Sequence, residues 1–187
     1  MNIKGIILFM ALSLSTIILT SSFSIITNTD NIINNKLELS KLGSNDSNLS
    51  GPTPLRMYEL INHYADFYDI PKHIAFNVAY LETKYKGPFD WGYKPNLSSS
   101  AGAVGPMQIM PATANYINKK RINKELLKND IELNIKTSMK LLSNLHKQYS
   151  NWKIVCGAYN TGKPIVNSYA TFCVSNKDYT NNWRKLR

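Results

Sequence analysis

The run Ile70-Pro71-Lys72-His73-Ile74-Ala75-Phe76-Asn77-Val78-Ala79-Tyr80-Leu81-Glu82 decides how this chain is read. Ile70, Ile74, Val78 and Leu81 recur at helical spacing, with Ala75 and Ala79 beside them, so the run predicts a helix with an apolar stripe facing a core. Pro71 suits the first helical turn, and the small alanines permit close approach of neighbouring helices. Glu82 closes the run at its C-terminal end. Two effects there would raise the pKa of its carboxyl: the negative end of the helix dipole, and apolar surroundings that disfavour the ionised form. A raised pKa is what a general acid working near neutral pH requires. An exposed glutamate ending a surface helix would have the same local sequence, so the weight of Glu82 rests on the segments around it.

Upstream, Pro54 to Tyr68 places Leu55, Tyr58, Ile61, Ala65 and Tyr68 on one helical face. Downstream, Lys86 to Pro95 is rich in turn residues and carries Phe89, Trp91 and Tyr93. The loop Ala101-Gly102-Ala103-Val104-Gly105-Pro106-Met107-Gln108-Ile109-Met110-Pro111 follows, and its glycines allow backbone conformations closed to other residues. Pro111 opens a helix through Ile117. A long amphipathic helix starts from an Asn129 or Asp130 cap, with Ile131, Ile135, Met139, Leu142 and Leu145 as its stripe and Tyr149 at its end. Ser150 or Asn151 caps a last helix carrying Trp152, Val155, Cys156 and Tyr159. The Met and Leu stripes read as core, not as a cofactor box. The expected architecture is predominantly α-helical, with any strands confined to the region between Tyr85 and Ser100.

The chain has 187 residues and a formal net charge of +10, enough for a single domain plus an export segment. Lys4 precedes the uncharged run Ile6 to Leu19, the pattern of a signal peptide or signal anchor over residues 1–26. Residues 27–51 are rich in Asn, Ser, Asp and Lys and read as a polar linker; the domain spans 52–187. The expected location is therefore outside the cytoplasm, in the periplasm or cell envelope, with membrane contact only through an uncleaved N-terminal segment. Lys119-Lys120-Arg121 and Arg184-Lys185-Leu186-Arg187 are the densest basic clusters. They suit solubility or adherence to anionic envelope polymers. With no zinc spacing, P-loop or arginine-rich arm, no nucleic acid partner is expected. Two cysteines and the scattered His63, His73 and His146 give no metal-ligand spacing, and no cofactor is expected. In an exported chain Cys156 and Cys173 can form a disulfide closing a short loop; two buried free thiols are the alternative.

Three segments in order carry a family resemblance: Leu81-Glu82-Thr83, the loop Ser100 to Pro111, and Ala158-Tyr159-Asn160-Thr161-Gly162. The chain from about Ile70 to Val174 resembles the catalytic domain of soluble-type lytic transglycosylases, relatives of goose-type lysozyme. The family has Glu-Ser, Gly-Leu-Met-Gln and Ala-Tyr-Asn-x-Gly at these places. The resemblance implies a lysozyme-like α+β fold and cleavage of the MurNAc–GlcNAc β-1,4 bond of peptidoglycan glycan strands. It makes Glu82 the sole catalytic acid and base. It implies that Thr83 supplies a hydroxyl, that Met107 and Gln108 line the sugar cleft, and that Tyr159 and Asn160 hold the acid or the substrate N-acetyl group. Tyr169, in Asn167-Ser168-Tyr169-Ala170, matches a later family tyrosine near the acid. Three departures stand out: Thr83 for Ser, Pro106 for Leu, and a longer stretch between Glu82 and Ser100. A hydrolytic lysozyme on the same fold and a non-catalytic wall-binding or assembly module are the rival readings. The activity could serve wall remodelling, or local gap opening for a secretion, conjugation or pilus assembly machine.

Overall fold

A computed structural model of the chain describes residues 53–180. The expected export segment (1–26), the linker (27–51) and the basic cluster at Arg184 lie outside the described residues. Among the described residues seven helices follow one another: α1 (Thr53–Phe67), α2 (Lys72–Thr83), α3 (Pro111–Asn118), α4 (Lys124–Asn129), α5 (Ile131–Tyr149), α6 (Trp152–Thr161) and α7 (Ser168–Ser175). Extended pairing among the described residues is limited to two isolated antiparallel bridges, Ser98 with Val104 and Val104 with Ile109. The β component is thus smaller than expected, and it reaches past Ser100 into the glycine loop. Two backbone bonds close the second bridge, Val104 N–H to Ile109 O at 3.0 Å and Ile109 N–H to Val104 O at 3.1 Å. That pairing is too short to propagate a ladder.

The core forms around α2 and α5. In α2 every residue from Ile74 to Ala79 is buried, so this helix is apolar nearly all round, as suits one enclosed by neighbours. It packs against α1 and α7, whereas α5 contacts α1, α3, α4 and α6. Ile135, Met139 and Leu142 of the α5 stripe are fully buried. Ile131 and Leu145, at its two ends, are half-buried. α1 turns inward a face shifted from the expected one but sharing Ile61 and Ala65 with it: Met57, Leu60, Ile61, Tyr64 and Ala65 are buried, whereas Leu55, Tyr58 and, just past the helix, Tyr68 are only half-buried. Part of the reason is polar. The Tyr64 hydroxyl donates to Glu132 Oε1 of α5 at 2.6 Å, which fixes the rotation of α1.

The helix starts follow from side-chain caps. Asp130 Oδ1 accepts from Leu133 N–H, and Asn151 Oδ1 from Lys153 and Ile154 N–H, satisfying donors that a helix N-terminus leaves unpaired. Asn123 and Asn167 do the same for α4 and α7. After α6 the chain doubles back at close range. A Cβ on Gly157 would sit 1.7 Å from the Ile165 carbonyl oxygen, so only glycine lets the returning segment lie on α6. α7 then packs on α6 and α2. Cys156 of α6 and Cys173 of α7 form a disulfide with Cα atoms 6.5 Å apart, 17 residues apart in sequence. Closing a loop of that length restricts the unfolded chain, a contribution of about 3 kcal/mol. A Cys156→Ala/Cys173→Ala double variant is expected to lose about that much stability in urea unfolding; an unchanged midpoint would show that the crosslink contributes nothing.

Candidate active site

Glu82 lies in the last turn of α2, which Lys84 ends in a left-handed conformation with its N–H bonded to Tyr80 O. The carboxyl is half-buried. Burial raises its pKa above the ordinary carboxylate value, opposed by a hydrogen bond from Tyr169 and by the Lys84 charge. The Tyr169 hydroxyl donates to Glu82 Oε1 at 2.7 Å. Its own pKa is pushed far up, by burial first and by the nearby Glu82 charge second, so it remains a donor throughout the physiological range. Tyr159 is held up by the same two causes in the same order. Glu82 and the two phenols therefore form one electrostatic cluster.

The glycine loop is held from behind by Asn134, fully buried on α5. Its Nδ2 donates to Val104 O at 2.9 Å and Leu127 O at 3.0 Å, and its Oδ1 accepts from Met107 N–H at 3.0 Å. Gly105 has φ +77°, which would strain any side chain, and a Cβ there would lie 2.3 Å from Asn134 Nδ2, a collision with the buried carboxamide. Pro106 occupies a turn position that its fixed φ favours. At the end of the turn Gln108 takes φ +49°, a conformation that costs a non-glycine residue of order 1 kcal/mol or more. The loop sustains it with bonds from Gln108 N–H and Nε2 to Gly105 O, at 3.1 and 2.9 Å.

Thr83, next to the acid, is buried. Its hydroxyl lies 2.8 Å from Pro106 O, 2.8 Å from the Tyr93 hydroxyl and 3.2 Å from Ala79 O. It ties the end of α2 to the glycine loop and to the long segment after α2. On the loop, the Met107 carbonyl accepts from Tyr159 OH at 2.7 Å.

A family model for the transglycosylase SLT domain matches residues 59–179. The chain belongs to the transglycosylase SLT family. The match spans the fold from α1 to beyond α7, so the mostly helical arrangement is the lysozyme-like fold of that family, and peptidoglycan is the substrate class that membership brings. A search of curated proteins returned no match.

Within this SLT domain the residues singled out from sequence divide into those that meet the acid and those that support it. Tyr169, matched on the least sequence, bonds Glu82 directly. Tyr159 stands beside Glu82 electrostatically but commits its proton to Met107 O. Met107 differs from the expectation of a cleft-lining side chain: it is 0 % exposed, plugs the core beneath the loop, and serves through its backbone. Gln108 is half-buried at the loop edge. Asn160 is exposed and accepts from Asn167 Nδ2 at 3.1 Å, joining the end of α6 to the cap of the helix that carries Tyr169. Among the described residues no group of three or more His, Cys, Asp or Glu could hold a metal ion.

Asn134 was not singled out from the sequence. The available signal was its place between Ile131 and Ile135: a carboxamide on the inward side of an apolar stripe requires buried partners. Asn134→Leu keeps the volume and strips three backbone groups of their partner. It is expected to cost at least about 3 kcal/mol in urea unfolding, since each buried group left unpaired costs about 1–3 kcal/mol. A loss below about 1 kcal/mol, the cost of a single such group, would show that the loop finds other partners.

Proposed function

We propose that this protein is a lytic transglycosylase that cleaves the MurNAc–GlcNAc β-1,4 bond of peptidoglycan and leaves a 1,6-anhydroMurNAc end, with Glu82 acting first as general acid and then as general base. The observation that carries the reading is the environment of Glu82: a carboxyl whose pKa is raised by burial, gripped by a neutral phenol at 2.7 Å. Raised carboxyls of this kind hold a proton at a pH where ordinary ones have lost it.

In the first step protonated Glu82 gives its proton to the glycosidic oxygen as the bond to C1 breaks. Positive charge develops at C1, and the carbonyl oxygen of the substrate N-acetyl group bonds to it. In the second step the C6 hydroxyl of MurNAc attacks C1 and displaces that oxygen. Its proton passes to the Glu82 carboxylate, which regenerates the acid. No water is consumed, and the tethered nucleophile supplies proximity. Most glycosidases need a second carboxylate as nucleophile or base. In this reading the substrate N-acetyl group takes the part of that second carboxylate. We assign Gln108 to the N-acetyl group, where a positioned carboxamide stabilises developing charge, and Tyr169 to holding the acid in place.

We place the activity outside the cytoplasm. The Cys156–Cys173 disulfide supports this, because such bonds persist in oxidising compartments.

The products decide the reading. Digestion of peptidoglycan followed by mass spectrometry is expected to give 1,6-anhydro ends with the native chain, and a loss of roughly a hundredfold or more with Glu82→Gln, the scale of a general acid's contribution. Reducing MurNAc ends in place of anhydro ends would make the protein a hydrolase instead. The pH profile supplies a separate check with its sign fixed. A general acid must be protonated, so activity falls as pH rises through its pKa. The Tyr169 bond favours the ionised carboxyl, so Tyr169→Phe is expected to move the basic limb to higher pH while lowering the maximal rate. A limb that stays put or moves to lower pH would remove Tyr169 from contact with the acid.

A further inference from the structure

The segment from Lys86 to Leu97 carries Trp91 with 63 % of its surface exposed. A single exposed apolar residue is ordinary on a protein surface, and the mounting of this one is not. Lys86 N–H donates to Asp90 Oδ2 at 3.3 Å. Backbone bonds from Asp90 to Gly87 O, Trp91 to Phe89 O and Tyr93 to Asp90 O, at 3.2, 3.0 and 2.9 Å, fold the segment into consecutive turns. Phe89 and Trp91 meet edge to face at 6.2 Å, and Tyr93 meets Tyr85 at 5.0 Å. At one end the Tyr93 hydroxyl lies 2.8 Å from Thr83 Oγ1, one residue from the acid. At the other, Leu97 O accepts from Gly105 N–H at 2.9 Å. The segment is thus braced between the two elements that carry Glu82 and Gln108. Its exposed indole stands two residues from the Tyr93 brace, within about 7 Å along the backbone.

We propose that Trp91 is a stacking platform for a sugar ring of the glycan strand, at a subsite beyond the cleavage point. A pyranose ring presents C–H groups on its faces, and an indole offers a large, rigid apolar face to cover them. An aromatic side chain fixed by its own backbone loses little conformational freedom on binding. The platform extends the reading of the site as a glycan-cleaving one and rests on it. Only strands long enough to reach past the site engage the indole, so it selects for polymer over fragments.

The test uses the full chain carrying Glu82→Gln, so that no ligand is consumed, and peptide-free MurNAc–GlcNAc oligosaccharides, short and long. Trp91→Ala is expected to weaken binding of long strands roughly tenfold, the order of an aromatic stacking contact, and to leave short ones unchanged. Trp91→Phe recovers most of the loss. Indole emission is expected to change when long strands bind and to stop changing in Trp91→Phe, where Trp152 and Trp183 remain as internal references. Equal affinities of Trp91→Ala and its parent for long strands overturn the platform and leave the catalytic reading intact. Intact Trp91 dependence together with products of the native chain that lack anhydro ends keeps the platform and overturns the chemistry. Failure of the parent to bind any strand overturns both.

Discussion

The glycine loop depends on one buried carboxamide. Asn134 spends both polar ends of its side chain on backbone groups of Val104, Met107 and Leu127, and no water-facing alternative exists for them at that depth. The net gain of three such bonds is modest, about 1 kcal/mol each, but the cost of leaving the groups unpaired is larger. The contact therefore acts less as a source of stability than as a filter on loop shape. With Val104 and Met107 pinned, Gly105 must pass close over the carboxamide, and the turn delivers Gln108 into its left-handed conformation. It also aims Met107 O at Tyr159, which stands beside Glu82. A polar choice on α5 thus sets the geometry of three separate elements.

Glu82 is governed by a second arrangement. Tyr159 lies three residues after Cys156 on α6, and Tyr169 four residues before Cys173 on α7. Residues three and four apart share a helix face, so the disulfide ties the two helices one turn away from each phenol. A phenol suits this place because burial keeps it protonated. A cation in the same position would hold the carboxylate ionised and strip it of its value as an acid. Burial raises the pKa of Glu82, while Tyr169 and Lys84 oppose it. The balance leaves a carboxyl that is positioned by a hydrogen bond and still inclined to keep its proton.

Much of this is legible in the sequence, for definite physical reasons. The stripes of α2 and α5 repeat long enough to dominate their windows, and the starts of α5 and α6 each narrow to two neighbouring cap candidates, of which Asp130 and Asn151 take the part. The three motif segments belong to the SLT family, and the structure brings their residues to one place. What sequence concealed falls into two kinds. α4 and α7 are six and eight residues long, too short for a period to declare itself, and each depends on an asparagine cap that reads equally well as a loop. The other kind is orientation. Periodicity marks Met107 as apolar but not which way a turn points it, and it puts Asn134 on the inward side of the α5 stripe without naming the backbone groups it meets. The buried face of α1 departs from its apolar period because Tyr64 pairs with a glutamate 68 residues away.

Thr83 joins these arrangements at the acid. Its hydroxyl, at the end of α2, meets Pro106 O, Ala79 O and the Tyr93 hydroxyl, and the two carbonyls can only accept. With Thr83 donating to Pro106 O, the Tyr93 hydroxyl is the partner able to donate to Thr83. That order places a chain of hydrogen bonds from the long segment, through the acid's neighbour, into the glycine loop. Pro106 fits its end of the chain: it has no N–H to offer, yet its carbonyl is the acceptor the chain requires. The departures in sequence around the acid are therefore coupled in space. A segment that could have been a passive insertion is joined to the helix that carries Glu82, and a shift in either has to be answered by the other.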